Sequence, residues 1–324
     1  MRRRRRGFWR WAWVVVAVPV AMGFIPGVPH PGLQLFMWWV PIPPRVDVPS
    51  PREGVERVLV LAPHPDDEVL GAGGAIVDFL AQGHQVLVVF LTAGDANTAA
   101  KRFFTWNPLN RPEDYQALGY RRMKEAGEAM RILGVPWDHI LFLGYPDRGL
   151  HSLWTTYREK IYRSPYTKMD HPFYRNSFNP EARYKGEDLL EDLCTILRTF
   201  HPTIIYCPHP EDSHPDHRAT ALFLQAALGE VFLAPEIRYY LVHGQQWPTP
   251  LRLIPDAELS APSYLADRWD WRTLPLSEET VEKKLAALRA YSSQRVTNGR
   301  FLAAFVRQNE VYALDLLEKP VLNR

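Results

Sequence analysis

The stretch Val58-Leu59-Val60-Leu61-Ala62 is a short apolar run, and His64-Pro65-Asp66-Asp67-Glu68 follows it almost at once. A second pair of the same kind lies far along the chain, where Thr203-Ile204-Ile205-Tyr206-Cys207 precedes His214-Pro215-Asp216-His217. An apolar run of about four to eight residues between turn signals is typical of a buried strand. Each strand is therefore predicted to place a cluster of imidazole and carboxylate groups at its carboxyl end.

From residue 57 onward the chain alternates apolar strands with amphipathic helices. We predict strands at 57–62, 86–91, 139–143, 203–207 and 237–242, and helices at 68–81, 113–132, 186–200, 216–229, 278–292 and 299–308. Strands that alternate with helices form βαβ units, so the predicted fold class is α/β with a mostly parallel sheet flanked by helices. Such sheets bind ligands at the carboxyl ends of their strands, where both clusters are expected to lie.

The clusters contain side chains that bind a borderline metal ion. Catalytic zinc sites usually have three protein ligands and leave the fourth position for water, and His64, Asp67 and His217 can supply such a set. A single His-Pro-Asp is more often a turn followed by a helix cap. Two clusters after two strands favour a metal site.

The remaining polar groups of the clusters are predicted to move protons. Asp66 is adjacent to a proposed ligand, so it is left to act as the general base for water activated by the metal. His214 is predicted to protonate a leaving group or to stabilise an oxyanion. Asp216 is predicted to hold the His214 imidazole by a hydrogen bond.

Charge and cysteine content narrow the class of protein. The net charge is +2, and six arginines lie within the first ten residues. The rest of the chain is mildly acidic, so no nucleic-acid partner is predicted. Cys194 and Cys207 form no CxxC pair, and we expect both to be buried apolar side chains rather than a disulfide framework.

The N-terminal segment is predicted to attach the protein to a membrane. Residues 11–44 contain no Lys, Arg, Asp or Glu, and about 20 apolar residues span a bilayer. We predict an Arg-rich N-terminus and transmembrane anchor at 1–40, with the helix from Trp11 to about Pro29, and a Pro-rich spacer at 41–56. The arginines favour a single pass through the cytoplasmic membrane, with the catalytic domain on the extracytoplasmic side. A cleaved signal peptide and twin-arginine export are the alternatives.

The rest of the chain, 57–324, is predicted to be one domain with a long polar and aromatic insertion at 148–185. Its aromatic residues argue against disorder, and long loops in compact domains are usually functional. Two interpretations stay open. The insertion either lines a pocket or packs as a flap on its own domain.

At these residues the chain resembles the PIG-L/LmbE family of metal-dependent deacetylases. The segments 62–68 and 214–217 resemble the two histidine motifs of the family. Three further segments add to the resemblance, at 122–135, 142–147 and 284–294. The likeness covers about residues 57–310.

The resemblance implies a Rossmann-like α/β fold, a zinc ion, and hydrolysis of an N-acetyl group from an N-acetylglucosamine unit. The substrate would be a glycolipid, a polysaccharide or another glycoconjugate. By the motif match, the metal ligands would be His64, Asp67 and His217, and the general base Asp66. His214, helped by Asp216, would be the general acid or oxyanion stabiliser.

Five further residues are predicted to bind substrate. Thr92 and Asp95 fall where the family places a substrate-facing loop, and Asp147 ends a segment that recurs in the family. Arg102 is expected to replace an arginine that the family often has near that loop. His243 follows a predicted strand and is expected to reach the same edge of the sheet.

Two other functions are compatible with the pattern. Two histidines and one carboxylate also form the ligand set of non-haem Fe(II) oxygenases, so Fe²⁺ is an alternative to Zn²⁺. A non-catalytic glycan- or lipid-binding module would use the aromatic insertion as its platform. Oxygen dependence would identify the first, and binding without acetate release would identify the second.

Overall fold

The computed structural model of the protein describes residues 43–105 and 109–315. Its strands are β1 (Arg57–Ala62), β2 (Gln85–Thr92), β3 (Ile140–Tyr145), β4 (Ile204–Pro208), β5 (Glu236–Tyr240), β6 (Asp270–Pro275) and β7 (Asn309–Leu314). Its α-helices are α1 (Asp67–Ala81), α2 (Thr98–Thr105), α3 (Pro112–Leu133), α4 (Leu150–Trp154), α5 (Gly186–Phe200), α6 (Pro215–Val231), α7 (Glu278–Ala290) and α8 (Ser292–Ala303).

The strands form one mixed sheet in the order β3-β2-β1-β4-β5-β7-β6. The five predicted strands are all present and run parallel to one another. β7 runs antiparallel to both β5 and β6. Neither β6 nor β7 was predicted from the sequence. The helix predicted at 299–308 begins earlier and ends earlier, as α8, because the chain must then turn into β7.

Alternate residues of β1 face two separate cores. Val58 and Val60 pack with α1, α3 and α7 on one face of the sheet. Leu59 and Leu61 pack with α5 and α6 on the other face. Both cysteines are buried and reduced, as predicted. A strand covered on both faces reads as a continuous apolar run, which explains the sequence that begins the domain.

The order of the strands defines where a ligand site lies. From β1 the chain moves outward through β2 to β3, and then it returns to the other side of β1 to form β4. The crevice at the carboxyl ends of these two neighbouring strands is the topological switch point of the sheet. The two histidine clusters follow β1 and β4, so both reach this crevice.

Two glycine positions show why the sequence folds this way. Gly134 ends α3 with φ of 94°, a left-handed conformation that glycine adopts without penalty. Gly71 lies in α1 where the helix crosses the sheet, and a Cβ atom there would lie 2.2 Å from the ring of Tyr240. Glycine at this position therefore allows the helix to pack closely on the sheet.

The segment predicted as a spacer at 41–56 contacts the domain where the structure describes it. Val46 and Val48 pack against the core beside α5 and α6. The backbone N–H of Arg52 donates to Gln85 Oε1 over 3.0 Å, and Gln85 Nε2 donates to the carbonyl of Ser50. These contacts attach the segment to the amino end of β2.

The predicted transmembrane helix, and the membrane location inferred from it, are corrected. Within 43–105 and 109–315, no helix is long and apolar enough to cross a membrane. The longest helix, α3, carries charged side chains along its whole length. The predicted helix rested on apolar composition and its orientation on the preceding arginines, and the stretch concerned, residues 11–29, lies outside the described residues.

Candidate metal centre and active site

Three predicted metal ligands meet at the switch point. Asp67 Oδ2 lies 3.1 Å from His64 Nδ1 and 3.1 Å from His217 Nε2. All three side chains are buried, with His217 fully inaccessible and His64 8% exposed. Ligand atoms in a tetrahedral zinc site with bonds of about 2.0–2.1 Å lie about 3.3 Å apart. The distance from Asp67 Oδ2 to each ring nitrogen is therefore compatible with two ligand atoms of one small metal ion.

The second nitrogen of each ring is held by carboxylates. His217 Nδ1 lies 3.1 Å from Asp212 Oδ2, and His64 Nε2 lies 3.3 Å from both Asp147 Oδ1 and Asp216 Oδ2. A metal-binding histidine characteristically donates its other N–H to such a partner, which fixes the tautomer and the ring. These contacts leave His64 Nδ1 and His217 Nε2 as the two nitrogens that face the centre.

Two further observations test whether this set fits a cation. His217 Nε2 is buried and has no aligned hydrogen bond, although Asp67 is close. Burial lowers the pKa of His217, but the carboxylates of Asp67 and Asp212 outweigh it and raise the pKa to about 10. The surroundings thus favour positive charge at this point, and a divalent ion would satisfy the orphaned nitrogen.

Asp66 lies beside the centre in an unusual backbone conformation, with φ of 123°. Its Oδ1 lies 3.4 Å from Arg122 Nη2 on α3. Burial raises the pKa of Asp66 to about 7, against the opposing effect of the Arg122 charge. A carboxyl group with a pKa near neutrality is suited to take up and return a proton.

His214 lies at the open side of the crevice as the N-cap of α6. Its Nδ1 accepts the backbone N–H of Asp216 over 3.2 Å, so a neutral ring carries its proton on Nε2. Its ring centre lies 4.8 Å from that of His64 and 5.1 Å from that of His217. Burial, followed by the neighbouring histidine charges, lowers the pKa of His214.

Asp216 has a different partner from the one that the sequence predicted. Its carboxylate accepts the backbone N–H groups of Arg148 and Leu150, at 2.7 and 3.1 Å, and lies beside His64 Nε2. Only its backbone N–H contacts His214. The carboxylate therefore orients His64 and holds the start of the insertion rather than the His214 ring.

The predicted substrate-binding residues divide into internal and accessible ones. Thr92 donates its hydroxyl to the carbonyl of Pro63, and Asp95 accepts the Tyr174 hydroxyl over 2.6 Å. Asp147 is held by the backbone N–H of Ala96 and by His64. These three side chains are buried and support the loops around the centre.

Arg102 and His243 occupy more accessible positions. Arg102 is exposed on α2. The His243 ring lies 4.8 Å from that of His217 and stacks on Phe301 of α8. A ligand atom of His243 lies within 4.8 Å of ligand atoms of Asp67 and His217. His243 therefore borders the centre, whereas Arg102 lies on the surface beyond the loop that follows β2.

The aromatic insertion packs against its own domain and also reaches the site. Tyr174 and Tyr184 are buried, and Tyr184 donates to the carbonyl of Gly144. Trp154 and Tyr157 pack against the core beside α5 and α6. The insertion thus packs on its own domain and also bonds Asp216 and Asp95 beside the centre. That it lines a pocket stays a prediction.

The sequence reasoning missed Asp212 and the roles of Glu68 and Tyr291. Asp212 accepts the backbone N–H groups of Val242 and His243 in addition to holding His217. In the sequence, the only indication of a role for Asp212 was its position between β4 and the second histidine motif. Glu68, in the first turn of α1, is fully buried and accepts hydrogen bonds from Tyr291 and from the backbone of Asp66.

The fold and the site together define an α/β domain with a buried cluster of histidines and carboxylates at its switch point that could hold a metal ion. The family model described as GlcNAc-PI de-N-acetylase matches residues 59–228, just over half of the chain. The chain belongs to this PIG-L family. The predicted family is therefore confirmed, and with it the class of linear-amide hydrolase over the oxygenase and binding-module alternatives.

Relatives and solved structures agree with this assignment. A diacetylchitobiose deacetylase of Thermococcus kodakarensis is 26% identical and aligns over 76% of this chain and 72% of its own length. A 1D-myo-inositol 2-acetamido-2-deoxy-alpha-D-glucopyranoside deacetylase of a Mycobacterium species is 27% identical, over 77% of each chain.

The structure of N,N'-diacetylchitobiose deacetylase from Pyrococcus horikoshii covers 92% of this chain and 97% of its own, with 20% identity and a TM-score of 0.50. The A40926 pseudoaglycone deacetylase covers 80% of this chain and 96% of its own, with 18% identity and a TM-score of 0.52. At these identities the two structures support the fold.

Proposed function

We propose that the chain is a metal-dependent N-deacetylase that releases acetate from an N-acetylglucosamine-type amide. Its metal ligands are His64, Asp67 and His217. The observation that carries the proposal is the position of Asp67 Oδ2, 3.1 Å from one nitrogen of each ring, with the opposite nitrogens held by carboxylates. Two histidines and one carboxylate suit Zn²⁺, with Fe²⁺ as the alternative.

A divalent ion held by these residues would lower the pKa of water and polarise the carbonyl of the acetamide group. Asp66 removes the proton from the attacking water, since its carboxylate lies beside the ligands and has a pKa raised to about 7. Arg122 keeps that carboxylate directed at the crevice from a distance of 3.4 Å. The oxygen of water forms the new bond to the carbonyl carbon.

His214 acts as the donor to the oxyanion that develops on the carbonyl oxygen. With Nδ1 occupied by a backbone N–H, the neutral ring offers its Nε2–H. The proton that breaks the carbon–nitrogen bond returns from Asp66 to the leaving amine, which leaves acetate and a free amino sugar.

The substrate is proposed from the relatives. Those named above act on a chitin disaccharide and on an acetamido sugar joined to inositol, by their names. We therefore propose an acetamido sugar whose aglycone contacts His243 and Arg102 at the accessible side. Thr92, Asp95 and Asp147 position the surrounding loops. Residues 57–324 are proposed as one catalytic domain in which the insertion at 148–185 bounds the crevice.

Acetate release from a panel of N-acetylglucosamine oligosaccharides, lipids and inositol or thiol conjugates tests the activity. The protein is purified without oxygen and its metal content is measured beforehand. We expect acetate in equal amount to new amine, without oxygen consumption. Asp66→Asn should retain the metal but lose most turnover, because a general base contributes about 10²–10⁴-fold. Near-full activity of that variant would refute the assigned base.

A further inference from the structure

We propose that Glu68 and Tyr291 are positioning residues that hold the backbone of Asp66 in the orientation which the base requires. The inference rests on the proposed function, because it concerns Asp66, the proposed general base. Glu68 is fully buried, and its Oε2 accepts the backbone N–H of Asp66 over 3.0 Å. Its other oxygen accepts the hydroxyl of Tyr291, which is also fully buried.

The peptide unit between Pro65 and Asp66 is held from both sides. Arg122 Nη2 donates to the carbonyl of Pro65 over 2.6 Å, while Glu68 accepts the N–H of Asp66. The C=O and N–H groups of a trans peptide point in opposite directions. Two hydrogen bonds on opposite edges therefore oppose rotation of this peptide plane, which would change the φ angle of Asp66.

That angle needs support because it is unfavourable. Asp66 has φ of 123° and ψ of −29°, and such backbone conformations are strained in a non-glycine residue. The carbonyl of Asp66 also accepts the N–H groups of Val69 and Leu70 in the first turn of α1. With the carbonyl fixed by the helix, relief of the strain would turn the N–H and the side chain away from the centre.

Both supports come from one point in the fold, the junction of α7 and α8. Tyr291 lies at this junction and contacts Glu68. The next residues, Ser292 and Ser293, donate to Glu125 on α3 over 2.5–3.0 Å. The same helix carries Arg122. The junction thus fixes both sides of the peptide, although it is more than 200 residues away from Asp66 in sequence.

The consequence is a specific effect on the chemical step. A misplacement of about 1 Å in a reacting group costs about 10²-fold in rate. Glu68→Ala should lower kcat about 10²-fold, and Tyr291→Phe about 10-fold. The metal affinity and KM should stay within threefold of the natural protein. Glu68→Gln retains an acceptor for the Asp66 N–H and should keep kcat within about fivefold.

Glu310→Gln is the matched control. Glu310 is a buried glutamate that also accepts backbone N–H groups of α1, from Gly74 and Ala75, but it lies away from the centre. Glu310→Gln should lower the Tm without changing kcat per folded molecule. If it lowers kcat as strongly as Glu68→Ala, a general loosening of α1 is responsible and the proposal is overturned.

Hydrogen exchange in the metal-free protein supplies a readout that does not depend on activity. The Asp66 amide should exchange faster in Glu68→Ala and Tyr291→Phe, and at the natural rate in Glu68→Gln and Glu310→Gln. Unchanged exchange in Glu68→Ala, or a loss of metal affinity that parallels the loss of kcat, overturns the proposal. If no substrate releases acetate while exchange follows the expected pattern, the proposed function fails and the backbone support stands.

Discussion

The two clusters that build the centre are supported in opposite ways. The cluster after β4 is supported from nearby, because Asp212 lies five residues before His217 and holds its ring. The cluster after β1 is supported from far along the chain. His64 contacts Asp216, 152 residues away, and Glu68 contacts Tyr291, 223 residues away. One half of the centre therefore depends on a local turn, and the other half on the correct assembly of the whole domain.

This difference separates two kinds of failure. A change in the local support of His217 should affect metal binding first, since Asp212 touches a ligand. A change in the distant support of Asp66 should affect turnover first, since Glu68 touches the base. If changes at Asp212 affected turnover first, or changes at Glu68 affected metal binding first, the two clusters would not be independent.

The largest effect is expected for Asp67→Ala, which removes the atom shared by both rings. The variant should lose stoichiometric metal, and its acetate release should fall by more than about 10³-fold, because a catalytic ion contributes several kcal/mol. Metal analysis and acetate release check both parts. Asp138→Ala, a change at an exposed carboxylate, serves as the control. If Asp67→Ala retained one tightly bound ion, Asp67 would not be the ligand that joins the two clusters, and the comparison between them would fail.

His214→Ala tests the accessible member of the second cluster. The loss of one donor to an oxyanion usually costs about 10²–10³-fold in kcat. We expect that loss with unchanged metal content, measured by steady-state kinetics and metal analysis on the same samples. A fall in metal content to near zero would instead make His214 a ligand, as its closeness to His64 and His217 permits.

Asp212→Ala tests the local support directly. Loss of the carboxylate that holds a metal-bound histidine typically lowers metal affinity about 10–100-fold. We expect that decrease in a competition titration against a chromophoric chelator, with kcat of the fully loaded enzyme reduced far less. An unchanged affinity would show that His217 is held by packing alone, and the contrast with Glu68 would disappear.

Asp192 supplies a pH test outside the centre. Burial raises its pKa to about 6, against hydrogen bonds from Asn179 and Tyr145. The folded protein binds this proton more tightly than the unfolded chain does. The stability that protonated Asp192 contributes to the folded protein is therefore complete below about pH 4 and is lost as the pH rises through about 6. The loss amounts to about 3 kcal/mol in the free energy of unfolding.

Denaturant unfolding of the natural protein and of Asp192→Asn between pH 4 and 7 measures this contribution. The variant carries no titrating group at this position, so its stability should fall less over that range. If both proteins lose the same stability, the pH dependence arises elsewhere, for example in the histidines of the centre.

The contrast between local and distant support also explains what the sequence could predict. β1 to β4 are buried on both faces and β5 along most of its length, so their apolar runs are readable in the sequence. The histidine motifs follow β1 and β4. His64, Asp67 and His217 meet because β1 and β4 are neighbours in the sheet. β6 was missed because several of its side chains, including Arg272 and Thr273, are exposed and its run is mixed.

The unpredicted parts of the site share one physical cause. Glu68 and Tyr291 are joined only by the packing of α7 and α8 against α1 and α3, and no spacing in the sequence encodes that contact. Asp216 was assigned to His214 because the two are close in sequence, whereas the fold brings Arg148 and Leu150 to its carboxylate. Where a long loop returns to the crevice, residues that are close in sequence are therefore often not hydrogen-bond partners.

The hydrogen bonds of Asp216 have a consequence for how the protein can diversify. One carboxylate fixes a nitrogen of His64 and the first residues of the insertion, Arg148 and Leu150. The first residues of the insertion are thus hydrogen-bonded to a residue of the centre, while its later residues make fewer contacts with the centre. The exposed residues of the insertion beyond Leu150 can therefore vary and change the substrate, provided that this attachment point and the buried Tyr174 and Tyr184 are kept.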